Sequence, residues 1–173
     1  MKDYEPKMSF DEDVAKTYRH LQRGDEIAAV EFLAQLAGQG PALELAIGTG
    51  RIALPLAARG IQVDGIDISP AMVDQLRSMP GGEKNKVVIG NFADVPVSGT
   101  YRLIFIVFNT FFNLLTQEEQ VKCFENVAEH LNEDGVFVIE TYVPAFLYRL
   151  HNDQYVQAEG VEVSEVRLDV LRH

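Results

Sequence analysis

The chain has 173 residues, 47% of them hydrophobic, which predicts a single domain that buries most of its apolar surface. A net charge of −11, with no cluster of lysine and arginine, argues against a nucleic-acid substrate. One cysteine excludes an internal disulfide, and no apolar run is long enough for a membrane span, so a cytoplasmic location is our default expectation. The histidines show no metal-ligand spacing, so we expect no metal site.

Two helical patterns occupy the first forty residues. Val14, Ala15, Tyr18 and Leu21 fall on one helical face. A second helix is predicted to begin after Asp25, an N-cap residue, and to end at the glycines of positions 38 and 40. We therefore expect residues 1–40 to form helices that precede the first strand.

Residues 42–60 are the most informative segment. An apolar run over 42–47, interrupted by Glu44, breaks at Gly48-Thr49-Gly50 and is followed by a helical pattern. This order predicts a strand, a tight glycine turn and a helix. Bare glycine backbone and the open N–H groups of a helix start suit a flat, polar, nucleoside-like ligand. Gly48, Gly50 and Ala53, with Asp67 about 20 residues on, also match the dinucleotide fingerprint.

Strands and helices then alternate along the chain. Strands are predicted at 61–67, 86–90, 103–108 and 136–141. Ser69 with Pro70 begins one intervening helix, and the capping box of Thr116 and Glu119 begins another. The alternation predicts an α/β fold, with an open, mostly parallel sheet and ligands outside the carboxyl ends of its strands.

The segment from Glu44 to Gly50 resembles motif I of the class I S-adenosylmethionine-dependent methyltransferases, whose pattern is acid-x-Gly-x-Gly-x-Gly. Ala46 stands where that family has its first glycine, so we expect the backbone there to stay in an ordinary region. The resemblance implies a Rossmann-like doubly wound sheet of strand order 3-2-1-4-5 beneath covering N-terminal helices. It further implies methyl transfer from S-adenosylmethionine to a small-molecule acceptor by in-line displacement.

The resemblance assigns residues to each part of the cofactor. Residues 44–50 would hold the methionine end, Asp67 the ribose, and residues 91–93 the adenine, where Asn91 replaces a family acid at a cost of about 1 kcal/mol. Asn109 would lie near the methyl group, and Tyr18 would close over the ligand. The expected cofactor contacts are Tyr18, Glu44, Ala46, Gly48, Gly50, Asp67, Ile68, Met72, Asn91, Phe92, Ala93, Phe108 and Asn109.

One domain is expected over residues 1–173, with a cofactor-binding core at 41–141. Residues 142–173 would begin an incomplete substrate-covering segment, so the last strands of the family fold would be missing. The fifth strand would then have an exposed edge, through which a homodimer is possible. Glu140 and Tyr142 are candidate substrate contacts, and no catalytic base is identified. A nicotinamide-dependent oxidoreductase and a non-catalytic S-adenosylmethionine-binding or assembly module stay open as alternatives.

Overall fold

A computed structural model of the protein describes residues 10–18, 24 and 26–141. These residues belong to one compact unit, Met1–Thr141, while a second unit, Tyr142–His173, lies outside the described residues. The expectations for Leu21, Asp25, Tyr142 and the covering segment therefore fall on residues that are not described here. Among the described helices, none has the length and apolar character required to cross a bilayer.

Five parallel strands form one sheet in the order β3-β2-β1-β4-β5. This finding confirms the predicted Rossmann-like α/β fold and its strand order. The central strand β1 has every residue buried, as expected for a strand covered on both faces. The strands are β1 (Ala42–Leu45), β2 (Val63–Asp67), β3 (Val87–Ile89), β4 (Tyr101–Ile106) and β5 (Leu131–Ile139).

Helices connect and cover these strands, and two of their starts follow the predicted caps. The Ser69 hydroxyl accepts a hydrogen bond from the Met72 amide, and Thr116 and Glu119 form a complete capping box. Pro55 lies in the first turn of α3, after Ile52, where a helix tolerates a residue without an N–H. The helices are α1 (Glu12–Tyr18), α2 (Glu26–Ala37), α3 (Ala53–Ala58), α4 (Pro70–Arg77) and α5 (Gln117–His130), with short 3₁₀ helices at Gly82–Lys84 and Thr110–Asn113.

Alternation along the strands divides the core between the two faces of the sheet. On β4, Phe105 packs into the cluster that includes residues of α2 and α3, whereas Ile104 packs into the cluster that includes residues of α5. On β1, Leu43 belongs to the α5 side and Ala42 to the other, so Glu44 shares the face of Ala42. Its carboxylate is thereby directed toward the start of α3.

The strands end differently from their predicted bounds. β1 ends at Leu45 instead of residue 47, and β4 at Ile106 instead of residue 108, because Ala46 and Phe108 adopt positive φ angles of 60° and 59°. β5 runs from Leu131 to Ile139 instead of over 136–141. Its pairing moves from Tyr101↔Leu131 to Leu103↔Val136, so extra residues bulge out of the strand.

Replacing Gly65 of β2 by alanine should destabilise the protein. An added Cβ would stand 2.5 Å from Ile47 Cδ1 and 2.7 Å from Ile47 Cβ, so moving the end of the isoleucine side chain cannot relieve the overlap. We expect Gly65→Ala to lower the free energy of unfolding by about 1–3 kcal/mol, measured by urea denaturation. An Ile47→Ala background removes the overlaps with Cδ1 and Cγ2 and keeps the one with Cβ, so the same change should cost less there but still destabilise. Equal costs in both backgrounds would contradict a role for the isoleucine branches.

Candidate cofactor site

An open cleft lies at the carboxyl ends of the central strands. In a doubly wound sheet, the chain leaves neighbouring strands toward opposite faces at this point and so leaves a crevice for ligands. Gly50, Ala93 and Asn109 are absent from the described lining. The other ten predicted contacts line it: Tyr18, Glu44, Ala46, Gly48, Asp67, Ile68, Met72, Asn91, Phe92 and Phe108.

The turn after β1 repeatedly uses left-handed backbone. Ala46, Gly48 and Gly50 have φ angles of 60°, 55° and 80°. The expectation of ordinary backbone at Ala46 was therefore wrong, and holding an alanine in this region costs about 1–2 kcal/mol. The chain accepts this strain where it must leave the strand and turn beneath the cleft.

The two glycines of the turn have different roles. A Cβ on Gly48 would meet only Met72 Cε, at 4.0 Å, so this position keeps the cleft open beside bare backbone. A Cβ on Gly50 would come within 2.3 Å of Leu76 Cδ1. Gly50 is therefore required for packing against α4 and does not face a ligand.

Asp67 ties the end of β2 to this turn. Its Oδ2 accepts the Gly48 amide at 2.7 Å and its Oδ1 accepts the Ser69 amide at 2.8 Å. Burial raises the pKa of this carboxyl, and the amides of Ser69, Gly48 and Ile68 oppose that rise. Each carboxylate oxygen still has lone-pair capacity for a ligand donor.

Glu44 is the most strongly perturbed acid of the cleft. Its side chain is 3% exposed, and burial raises its pKa well above 4.5. The Ala53 amide lowers this pKa, nearby Asp67 raises it, and Arg51 lowers it. Two acids so close together in a dry setting favour a ligand that brings positive charge.

Three buried side-chain atoms of this segment have no hydrogen-bond partner in the described part of the chain: Glu44 Oε2, Thr49 Oγ1 and Arg51 Nη1. All three residues line the cleft. Each buried polar atom left without a partner costs about 1–3 kcal/mol, and native proteins contain few of them. The set of an acid, a hydroxyl and a guanidinium fits a polar ligand that carries groups of both charges.

Sequence reasoning missed Arg51. Its side chain, 12% exposed, forms an ion pair with Glu26 at the start of α2. Its Cζ lies 4.6 Å from the centre of the Phe108 ring and 6.0 Å from that of Tyr18. The sequence signal that could have indicated Arg51 was its position, directly after the glycine turn and within an otherwise apolar segment.

The loop after β3 differs from its expected role. The Asn91 Oδ1 accepts the Ala93 amide at 2.9 Å, so one lone pair of the predicted adenine acceptor is already in use. Asn126 of α5 donates to the Ala93 carbonyl at 2.7 Å, which fixes Ala93 within the protein. Asn91 and Phe92 remain at the cleft, while Ala93 packs behind them.

The loop after β4 is held by Glu140. This residue accepts the Phe108 amide through Oε2, at 3.2 Å, and the Asn109 amide through its carbonyl, at 3.3 Å. The Glu140 carboxylate therefore holds the backbone of the loop at Phe108. Glu140, a candidate substrate contact, is absent from the described lining of the cleft. Asn109, with a φ of 61°, begins the 3₁₀ helix at Thr110–Asn113 and is also absent from that lining.

Ten further residues line the cleft beside the predicted contacts. Ile47 and Thr49 lie within the segment 44–50 that was expected to hold the methionine end, although neither was named as a contact. Most of the others follow β4, where a turn and the start of α5 close one side of the cleft. The ten residues are Phe10, Ile47, Thr49, Arg51, Val107, Thr110, Asn113, Leu114, Leu115 and Glu119. Within the described ranges, no group of three or more histidine, cysteine, aspartate or glutamate side chains could hold a metal ion.

Comparison with known proteins identifies the family. Residues 42–135, more than half of the chain, match the family model described as "Methyltransferase domain". The cypemycin N-terminal methyltransferase of Streptomyces sp is 30% identical over 111 residues, which are 64% of this chain and 45% of that protein. An uncharacterized methyltransferase of Staphylococcus carnosus is 31% identical over 63% of this chain and 51% of its own length. The chain thus spans about half the length of these relatives.

Solved structures agree with this result. The CcbJ methyltransferase of Streptomyces caelestis matches with a TM-score of 0.73 and 36% identity, over 84% of this chain and 63% of that one. An S-adenosylmethionine-dependent methyltransferase of Clostridium acetobutylicum, 18% identical, shares the fold with a TM-score of 0.65 over 90% of this chain and 65% of that one. The chain belongs to the class I S-adenosylmethionine-dependent methyltransferases.

Proposed function

We propose that this chain binds S-adenosylmethionine in the cleft and transfers its methyl group to a nitrogen of a small-molecule acceptor. The observation that carries the proposal is the set of buried, unpartnered polar atoms beside the Gly48 backbone, at the ligand edge of a methyltransferase fold. When bound, the cofactor supplies a methyl group on a positively charged sulfur. An acidic cleft with one glycine-lined wall suits such a ligand.

Each part of the cleft has a proposed role. Glu44 and Thr49 bind the ammonium end of the cofactor, because their oxygens are buried and lack donors. Asp67 accepts the ribose hydroxyls with the lone pairs that its two backbone donors leave open. Asn91 and Phe92 border the adenine, whose exocyclic amine meets the second lone pair of the Asn91 amide oxygen.

The acceptor is proposed to enter beside the loop after β4. This side of the cleft is lined by the apolar Phe108, Leu114 and Leu115, with Thr110 and Glu119 as polar groups. Orientation by such walls can supply roughly 7–11 kcal/mol of a displacement barrier, so in-line transfer does not require a strong base in the protein. An amine acceptor reacts only when its nitrogen carries a lone pair.

Nitrogen is proposed as the accepting atom because the relative at 30% identity is an N-terminal methyltransferase. The Gly48 turn alone suits either a nicotinamide cofactor or S-adenosylmethionine. The nicotinamide alternative has little support because the matching family model describes a methyltransferase domain.

Isothermal titration calorimetry with S-adenosylhomocysteine tests cofactor binding. We expect one molecule to bind per chain, and we expect NADH to give no heat under the same conditions. Turnover is then measured as S-adenosylhomocysteine released from S-adenosylmethionine with a panel of amines, and with phenols and carboxylic acids in parallel. Binding of NADH without S-adenosylhomocysteine would reject the proposal, and methylation of phenols or acids in preference to amines would reject the nitrogen acceptor.

Replacing Glu44 by glutamine should stabilise the cofactor-free protein and weaken cofactor binding. Because burial raises the folded-state pKa of Glu44 above 4.5, its stabilising contribution is fully present below pH 4.5 and is lost as the pH rises through that raised value. Glutamine does not ionise, so its contribution to stability does not fall as the pH rises. At pH 7.5 we therefore expect Glu44→Gln to raise the free energy of unfolding by about 1–3 kcal/mol. The gain should shrink as the pH is lowered toward 4.5.

The same variant should bind S-adenosylhomocysteine about tenfold or more weakly, since a charged hydrogen bond to the ligand becomes neutral. Glu31→Gln on the exposed face of α2 is the matched control, and its stability should stay within about 0.5 kcal/mol of the native chain. A Glu44→Gln protein that is less stable than the native chain at pH 7.5 would contradict this account of the buried acid.

A further inference from the structure

Arg51 combines a buried positive charge with an unused donor. The guanidinium is always charged and presents its N–H groups as a rigid, planar fork. One side of that fork, Nη2, pairs with Glu26 Oε1 at the start of α2. The other side, Nη1, is buried and has no hydrogen-bond partner in the described part of the chain. Half of the fork therefore remains available to a ligand in the cleft that Arg51 lines.

The position of the guanidinium is fixed from several directions. Glu26 holds Nη2, and the Phe108 ring lies against the guanidinium with its centre 4.6 Å from Cζ. Tyr18 of α1 lies farther away, with its ring centre 6.0 Å from Cζ. A side chain held in this way loses little further freedom when it binds a ligand.

The charges around the cleft make Arg51 distinctive. Among the described lining residues, it is the one lysine or arginine, and it shares the cleft with the acids Glu44, Asp67 and Glu119. Without Arg51, the acidic and basic side chains among the described lining residues would be carboxylates alone. The planar fork matches a carboxylate, whose two oxygens can both accept N–H donors.

We propose that Arg51 binds the α-carboxylate of the cofactor through Nη1, while Glu26 holds the guanidinium in place. This inference rests on the proposed function and adds a residue that distinguishes a cofactor with an intact amino-acid end from one without it. In this arrangement Glu44 and Arg51 bind the two opposite charges of the methionine end, seven residues apart on the same strand and turn. The Glu26 contact also links the occupied cleft to the first turn of α2.

The test compares two ligands that differ in one group: S-adenosylhomocysteine and its decarboxylated analogue, which lacks only the carboxylate. Calorimetry on the full chain gives the dissociation constant of each ligand for the native protein, Arg51→Gln and Arg51→Lys. We expect Arg51→Gln to weaken S-adenosylhomocysteine binding by 10- to 100-fold, and binding of the analogue by less than about threefold. Arg51→Lys should fall between, because lysine keeps the charge and loses the planar fork.

Lys122→Gln is the matched control for charge. Lys122 pairs with Asp94 on the surface and is absent from the described lining of the cleft, so its loss changes the net charge equally and should leave both affinities unchanged. Equal weakening of both ligands in Arg51→Gln, or no weakening of either, would overturn the inference. Should the native protein bind neither ligand, it is the proposed function that fails. Should it bind both ligands equally well, Arg51 does not bind the carboxylate.

Discussion

The hydrogen bond from the Gly48 amide to the Asp67 carboxylate joins the ends of the two central strands, and the cleft depends on it. At 2.7 Å it is a short, charge-assisted bond between residues 19 positions apart in the chain. It fixes the glycine turn against β2, which sets where Glu44, Thr49 and Arg51 lie. Because Asp67 also accepts the Ser69 amide, the start of α4 is held by the same carboxylate.

Unfavourable features of the fold are concentrated at this edge of the sheet. Among the residues that the structure describes, four other than glycine have positive φ, and three of them, Ala46, Phe108 and Asn109, lie within three residues of the ends of β1 and β4. The buried acids with raised pKa values, Glu44 and Asp67, and three unpartnered polar atoms lie there too. Away from this edge, the described residues with comparable features are Val95, with a φ of 42°, and Asn85, whose buried Oδ1 has no hydrogen-bond partner. The packed clusters on the two faces of the sheet can therefore support a site that is unfavourable without its ligand.

The sequence was sufficient for features that depend on local pattern. The strand order followed from the alternation of elements and the resemblance. The cap at Ser69 followed from the adjacent Pro70, and the cap at Thr116 from Glu119 three positions on. Features that depend on distant contacts could not be predicted. The partner of Arg51 lies 25 residues away, and Gly50 faces Leu76 of another helix. The contact that occupies Asn91 is local, since its Oδ1 accepts the Ala93 amide, but the resemblance assigned that oxygen to the adenine instead.

The two sides of the cleft are built in different ways, so substitutions on the proposed acceptor side need not disturb the cofactor side. The cofactor side consists of strand ends and backbone amides bonded to buried carboxylates. The opposite side follows β4, where the Phe108 amide donates to the Glu140 carboxylate just after β5. Beyond Phe108 the chain forms the 3₁₀ helix with the exposed Phe112, and then reaches the exposed Leu115. Neither Phe112 nor Leu115 takes part in the Gly48–Asp67 bond, so substituting these exposed side chains leaves that bond intact. The proposed acceptor side can therefore vary in sequence while the cofactor side stays unchanged.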